Sequence, residues 1–174
     1  MEQVSMKSLA IRYGIILGVI STVINLGLIV GGVSTDPTIS AVSSVGSIII
    51  SIAFMVVVFN TFKRGNEGYM EFKDGFKGGT LLMVISGVIS TLVQYVYIAF
   101  IDPDYMKNIR AQAEEQMLQN PQATEESMEL IEKIMSFTTS PEFILISGII
   151  GSAIFGAILA LIVAAIMKKT PEYY

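Results

Sequence analysis

The chain has 174 residues, of which 52% are hydrophobic and 15% charged, and its formal net charge is -4. Soluble domains carry about 25% charged residues, so this composition excludes an ordinary soluble domain and favours a bilayer as the solvent. The sequence contains no cysteine and no histidine, which excludes disulfides and thiol catalysis and removes the commonest general base and metal ligand.

Four long runs without a formal charge predict four membrane-spanning helices. The runs cover 13–35, 37–62, 78–101 and 143–167. Each exceeds the roughly 20 apolar residues with which an α-helix crosses about 30 Å of hydrocarbon, where an open chain would leave its backbone polar groups unpaired. Prolines at the edges of the runs place the spans at about 9–32, 38–61, 77–101 and 142–167 of a single membrane domain, 1–174.

The first span carries both small and polar residues. It is longer than the 7–15 residues of a signal-peptide core and no A-x-A-like site follows, which favours a true span. Gly14 and Gly18 lie one helical turn apart, with Thr22 one turn further, and predict a close contact with another helix. Asn25 is a candidate for a polar contact inside the bilayer.

Spans two and three add further polar residues but no acid. Span two has Ser43, Ser47 and Ser51 at four-residue spacing, and span three has Gln94, a second candidate for an intramembrane polar contact. For Asn25 and Gln94 the favoured interpretation is an interhelical hydrogen bond worth about 1 kcal/mol, and the alternative is contact with a ligand or ion. The absence of a deep acid disfavours a carboxylate proton relay.

The segment 102–139 is the one connection long enough to form a domain. Apolar residues at helical spacing predict a helix over 104–119, a break at Asn120-Pro121, and a second helix capped by Thr124. The apolar arc of the second helix contains Met128, Leu130, Ile131, Ile134 and Met135. We expect an extracytoplasmic amphipathic helical hairpin, which either packs on itself and on the bundle or docks a protein partner. No loop here has the glycine and converging oxygens of a calcium site.

Span four carries the most regular pattern in the chain. Small residues recur there at strict four-residue spacing, namely Gly148, Ser152, Gly156, Ala160 and Ala164. Residues four apart share one face of a helix, so this stripe predicts tight packing against another helix. The partner helix belongs either to the same chain or to a second copy in a homo-oligomer.

Lysine and arginine in the loops predict the orientation of the chain. Eight of them lie before span one, between spans two and three, and after span four, whereas three lie on the opposite side. By the positive-inside rule both termini are cytoplasmic. Ten of the fifteen acids lie on the opposite side, and an acidic surface disfavours nucleic acid as a partner.

Three short motifs point to a known group of sequences. They are Tyr13-Gly14 with Gly18, the run Phe72-Lys73-Asp74-Gly75-Phe76-Lys77-Gly78, and Tyr97 with Asp102-Pro103-Asp104-Tyr105. In these motifs the chain resembles the small bacterial four-helix membrane proteins that are grouped as a domain of unknown function and are common in Bacteroidetes-type genomes. The resemblance implies a multi-pass inner-membrane protein with a helical insert before the last span, and it implies no activity.

The sequence therefore predicts an all-α membrane protein with four transmembrane helices and no cofactor or metal. The leading hypothesis for its function is a non-enzymatic scaffold or interaction protein of the bacterial inner membrane, with the lipid bilayer and a protein at 102–139 as partners. The alternative is a small transporter or channel subunit with a polar pathway through the membrane. An enzyme is disfavoured because the chain lacks histidine, cysteine and a buried acid.

Overall fold

The structure is a computed structural model that describes residues 5–118 and 124–170. Apart from the connections between the elements, this part of the chain is helical. These residues form six α-helices and no β-strand, and α3 continues into a π-helical turn at Tyr97–Ile101. The helices are α1 (Met6–Val30), α2 (Pro37–Gly65), α3 (Phe72–Val96), α4 (Tyr105–Leu118), α5 (Glu125–Thr138) and α6 (Pro141–Met167). The predicted all-α fold class is confirmed.

Four of the helices are long and apolar enough to cross a membrane. They are Met6–Val30, Pro37–Gly65, Phe72–Ile101 and Pro141–Met167. The shortest has 25 residues and spans about 37 Å, which exceeds the hydrocarbon thickness of about 30 Å. Large apolar side chains cover their outer faces; Val23, Ile49 and Ile166, for example, are more than half exposed. Such faces are stable in lipid and costly in water, so the chain is an integral membrane protein.

The ends of the first two helices follow from local sequence. α1 closes in a Schellman motif, in which Gly32 adopts φ +69° and the N–H groups of Gly32 and Val33 donate to the carbonyls of Ile29 and Leu28. Glycine is favoured at that position because a side chain disfavours positive φ. α2 begins at Pro37, and the Asp36 carboxylate accepts hydrogen bonds from Thr38 N at 2.8 Å and Ile39 N at 3.0 Å.

The chain divides into two compact units, and the first runs up to Ser90 and resumes at Ile149. Its core lies between the four spans, where aliphatic, methionine and phenylalanine side chains such as Leu17, Met55, Phe59, Leu82 and Ala160 are almost fully buried. Tyr13 packs edge-on against Phe54 at the margin of this core, with 6.3 Å between ring centroids.

The second unit is Thr91–Gly148. Within it α4 and α5 pack against one another. The predicted break at Asn120-Pro121 lies outside the described residues, as do the side chain of Met128 and Pro171. The extracytoplasmic position of this segment and its form as a hairpin stay predictions.

Candidate functional site

Helices α3 and α6 contact each other along a row of residue pairs, called the ladder below, in which at least one member of each pair is small. Each member of the predicted α6 stripe stands opposite an α3 residue, and the α3 residues also recur every four positions. In the first unit the pairs are Gly75–Ala164, Gly79–Ala160, Met83–Gly156 and Gly87–Ser152, and in the second unit the pair is Thr91–Gly148. Residue numbers rise on α3 as they fall on α6, so the two helices run antiparallel along the ladder.

The ladder leaves no room for larger side chains. A Cβ atom added at Gly79 would lie 2.8 Å from Ala160 Cβ, and one at Gly148 would lie 2.7 Å from Thr91 Cγ2, whereas real Cβ contacts essentially never fall below 3.0 Å. A Cβ at Gly156 would overlap Met83. Lipid tails are as apolar as the helices, so close van der Waals packing of this kind supplies much of the attraction between membrane helices.

The α3 half of the ladder is absent from the expectations drawn from the sequence. Gly75, Gly79 and Gly87 have four-residue spacing, but the large side chain of Met83 interrupts the series. A search of span three for small residues in the register of the span-four stripe would have found four of the five positions, Gly75, Gly79, Gly87 and Thr91.

Gly14 and Gly18 lie on the face of α1 that meets α3. A Cβ at Gly14 would lie 2.8 Å from the Leu82 carbonyl oxygen, and one at Gly18 would lie 3.0 Å from Ile89 Cβ and 3.1 Å from the Ser86 carbonyl oxygen. The two glycines therefore allow the α1 backbone to approach α3 closely. How much these contacts, and those of Ser152 and Ala160, stabilise the bundle stays a prediction.

A small hydroxyl cluster extends the contact between α1 and α3. The Thr22 hydroxyl donates to the Gly18 carbonyl at 2.7 Å and lies 3.3 Å from Ser90 Oγ, and the Ser90 hydroxyl also approaches the Gly18 carbonyl, at 3.2 Å. All three groups are at least partly buried. Polar contacts of this kind between membrane helices are worth about 0.6–2 kcal/mol each. The cluster pairs hydroxyls with a backbone carbonyl that the missing side chain of Gly18 leaves accessible.

Asn25 and Gln94, the two amides predicted to form polar contacts inside the bilayer, are not part of this hydroxyl cluster. Asn25 is exposed on α1, and Gln94 is half-buried on α3. No hydrogen bond joins either side chain to another residue in the described part of the chain. On α2 the serine hydroxyls of Ser44, Ser47 and Ser51 donate to carbonyls of their own helix. The sequence indicates which polar residues are deep in a span, but not which face of the helix they occupy.

The loop between α2 and α3 is fastened to the end of α6. Met70 and Lys169 exchange two backbone hydrogen bonds, both 2.9 Å long, and the Lys169 ammonium lies 5.8 Å from the centre of the Tyr69 ring. The Met70 side chain is fully buried. This isolated β-bridge holds the chain where α6 ends, and a cation–π contact of this kind adds about 0.5–1 kcal/mol at an exposed site.

Near its beginning the second unit contains an irregular turn that no sequence pattern predicts. Tyr97–Ile101 forms a π-helical turn, closed by the Asp102 N–H donating to the Tyr97 carbonyl at 2.9 Å. The Tyr97 and Tyr105 rings pack edge to face with centroids 6.4 Å apart, which links the turn to the start of α4. Single π-helical turns within helices occur frequently at functional sites.

Arg110 ties α4 to the end of α5. Its guanidinium donates to the Thr139 hydroxyl and, at 3.2 Å, to the Ser136 carbonyl. The Thr139 hydroxyl in turn donates to the Met135 carbonyl at 2.6 Å. A cation near the last carbonyls of a helix also interacts favourably with the helix dipole. These hydrogen bonds join α4 to the end of α5, and the charged residues of both helices together are called one surface below.

That surface is acidic. Its exposed carboxylates in the described residues include Asp104, Glu114, Glu115, Glu126, Glu129 and Glu132. Lys107 neutralises Asp104 through an exposed ion pair of 2.6 Å, which leaves the glutamates without an ion pair among the described residues. No group of three acids within the described ranges is arranged to hold a metal ion.

Comparison with known proteins gives one match. The model of a family described as "Protein of unknown function (DUF4199)" matches residues 12–169. No curated protein and no solved structure matches the chain. The matched range includes all four membrane helices nearly entirely, together with the segment between spans three and four.

Proposed function

The chain belongs to the DUF4199 family of proteins of unknown function, and on this premise we propose that it is a non-enzymatic scaffold or interaction protein of the bacterial inner membrane. The observation that carries the proposal is the acidic surface of α4 and α5, which Arg110 joins by hydrogen bonds. Connections longer than about 12–15 residues are usually functional or disordered, and this one is folded into two helices.

The orientation is part of the proposal. Both termini and the α2–α3 loop are cytoplasmic, because most lysines and arginines flank the spans on that side. The α4–α5 segment is then extracytoplasmic, where its exposed glutamates attract a basic surface on a partner protein. A field of one sign speeds the encounter with such a partner and weakens as salt rises.

A homo-oligomer would use a surface other than the one suggested by the stripes. The small faces of α1, α3 and α6 described above meet within a single chain. On α2, by contrast, Ser40, Ser44 and Ser47 are exposed and share one side of the helix. The exposed part of that side ends before Ser51, which is buried. The serine-lined part allows a second chain to approach closely.

The alternative, a small transporter or channel subunit, draws on the hydroxyl cluster of Thr22 and Ser90. A polar pathway needs groups that are free to exchange partners with the substrate. Thr22 and Ser90 hydrogen-bond each other and the Gly18 carbonyl, an arrangement that holds helices together. This pairing favours the scaffold over the transporter.

Deletion of the acidic segment tests the proposal. Replacing 107–133 by a short Gly/Ser linker removes the surface and leaves every span intact, and crosslinking in native membranes followed by mass spectrometry reports the partners. We expect the deleted chain to insert and to lose its basic partners. The matched variant Glu126→Gln/Glu129→Gln/Glu132→Gln keeps both helices and should lose the same partners, as should the wild-type chain in high salt. A deleted chain that keeps every partner, or that fails to accumulate, would favour a segment that only caps the bundle.

A further inference from the structure

The apolar side of α5 is largely uncovered by the residues that the structure describes; Phe143, which contacts the Phe137 ring, covers only its last turn. Leu130, Ile134 and Phe137 are 59%, 51% and 65% exposed. They are spaced by four and three residues, so at about 100° per residue they share one side of the helix within an arc of about 60°. We propose that this side of α5 lies in the interfacial region of the lipid bilayer, so that α5 is an in-plane membrane helix rather than a helix surrounded by water. This inference goes beyond the proposed scaffold function and does not depend on it.

The position of α5 in the chain brings this face to the membrane. Only Thr139 and Ser140 separate the end of α5 from α6, which enters the bilayer. The Ser140 hydroxyl accepts a hydrogen bond from the Phe143 N–H at 3.3 Å and so caps α6 directly after α5. The last turn of α5 therefore lies at the depth where α6 begins.

The side chain of Phe137 also links the end of α5 to the beginning of α6. Its ring packs on the ring of Phe143, in the first turn of α6, with centroids 4.9 Å apart. One turn further along α6, Ile146 is 59% exposed and faces lipid. The apolar surface of α5 thus continues through the two phenylalanines into the surface of a membrane span. This continuity identifies lipid, rather than a groove on a soluble protein, as the occupant.

Most polar residues of α5 fit the same placement. Glu129 and Glu132 are exposed and lie about 110° and 170° from the centre of the apolar side, so they project into water. Glu126 is the exception, since it lies about 50° from that centre, one turn before Leu130 at the beginning of the helix.

Lys133 flanks the apolar side, where a long cationic side chain can extend its charge to the lipid headgroups while its methylenes stay in the interface. Ile131 and Met135, which lie on the remaining side, are half-buried. An apolar side opposite a strongly charged side is a feature of helices at the membrane interface, although the charges of α5 are mostly acidic, whereas such helices usually carry basic ones.

The absence of tryptophan in the chain makes the proposal testable by fluorescence. A single tryptophan at Ile134→Trp or Leu130→Trp would be placed in the full-length protein, in vesicles of phosphatidylcholine and phosphatidylglycerol with or without lipids brominated near the top of the acyl chain. We expect blue-shifted emission and quenching by the brominated lipid several times stronger than for the matched control Glu132→Trp. Only variants that keep the wild-type melting temperature would be compared.

Two results would overturn the proposal. Quenching no stronger at position 134 than at 132 would place the face in water. Blue-shifted emission without quenching by brominated lipid would show that protein, such as a second copy of the chain, covers the face. The wild-type chain provides an independent measurement if both variants are destabilised, because a lipid with a photoreactive group near the acyl carbonyl should label Leu130, Ile134 or Phe137. Labelling confined to the four spans would also overturn the proposal.

Discussion

At the scale of single residues, Gly156 shows how the absence of a side chain sets a distance between helices. Its α6 backbone faces Met83 of α3, and a Cγ atom of that methionine would lie 3.0 Å from an added Cβ. Ile158, two residues further along the same helix, is 54% exposed. The two positions therefore share their helix and depth in the membrane, but they differ in whether protein lies opposite.

We predict that Gly156→Leu destabilises the protein far more than Ile158→Leu. Inserting side-chain atoms into a packed contact costs about 1–3 kcal/mol or more, since the helices must separate or Met83 must leave its rotamer. An exchange between two branched aliphatic side chains on a lipid-facing position costs well under about 1 kcal/mol. Thermal unfolding in detergent measures both. Equal tolerance of the two changes would show that the stripe does not pack tightly.

The hydroxyl cluster gives a second prediction at this scale. Thr22→Val keeps the shape of the side chain and removes the hydroxyl that bonds to Gly18 and lies beside Ser90. We expect a loss of about 0.6–2 kcal/mol in stability, measured by unfolding in mixed micelles. Asn25→Leu is the matched control, because Asn25 is exposed on the same helix and should be neutral or stabilising in lipid. A larger loss for Asn25→Leu than for Thr22→Val would mean that the amide is the polar contact between the helices.

At the scale of helices, the sequence predicts patterns that lie within one helix, but it does not predict which helices pack against each other. The α6 stripe is visible because five small residues of one helix recur every four positions. The matching row on α3 is not visible in the sequence, because Met83 interrupts its small residues. Only the antiparallel pairing of the two helices shows that Gly156 accommodates that methionine. The π-helical turn at Tyr97–Ile101 has no local signal in these apolar residues. Thr22 and Asn25 are three residues apart, and their depth in the membrane does not show that Thr22 is partly buried and Asn25 exposed.

Arg110 gives a prediction at this scale, because it joins two helices. Arg110→Met keeps much of the apolar stem and removes the hydrogen bonds to Thr139 and Ser136. We expect the amides of α5 to exchange hydrogen roughly fivefold to tenfold faster, which corresponds to a local loss of about 1–1.4 kcal/mol for a partly exposed charged contact. Lys107→Met is the control, since Lys107 contacts the exposed carboxylate of Asp104, the residue before its own helix. Equal effects of the two changes on α5 would show that Arg110 does not hold it.

At the scale of the whole molecule, charge and helix count together predict the orientation in the membrane. Four spans place both termini on the same side. Eight basic residues lie at the end of α2, at the beginnings of α1 and α3 and after α6, all on one side of the spans, whereas the α4–α5 segment carries three among many acids. The transmembrane potential and the insertion machinery retain basic loops in the cytoplasm, and the effect is strongest for loops of fewer than about 60 residues. The α2–α3 loop and the segment between spans three and four are both shorter than about 60 residues. The charges beside each of them therefore favour cytoplasmic termini.

We predict that a membrane-impermeant thiol reagent distinguishes the two sides in intact spheroplasts. The chain has no cysteine, so a single introduced one reports alone. Ser5→Cys and Asn66→Cys should stay unlabelled until the membrane is permeabilised, and Glu126→Cys should react at once, since all three positions are exposed on the protein surface. Labelling after permeabilisation is the control that the first two thiols are reactive. Immediate labelling at Asn66 with protection at Glu126 would reverse the orientation, place the acidic surface of α4 and α5 in the cytoplasm, and require any partner of that surface to be a cytoplasmic protein.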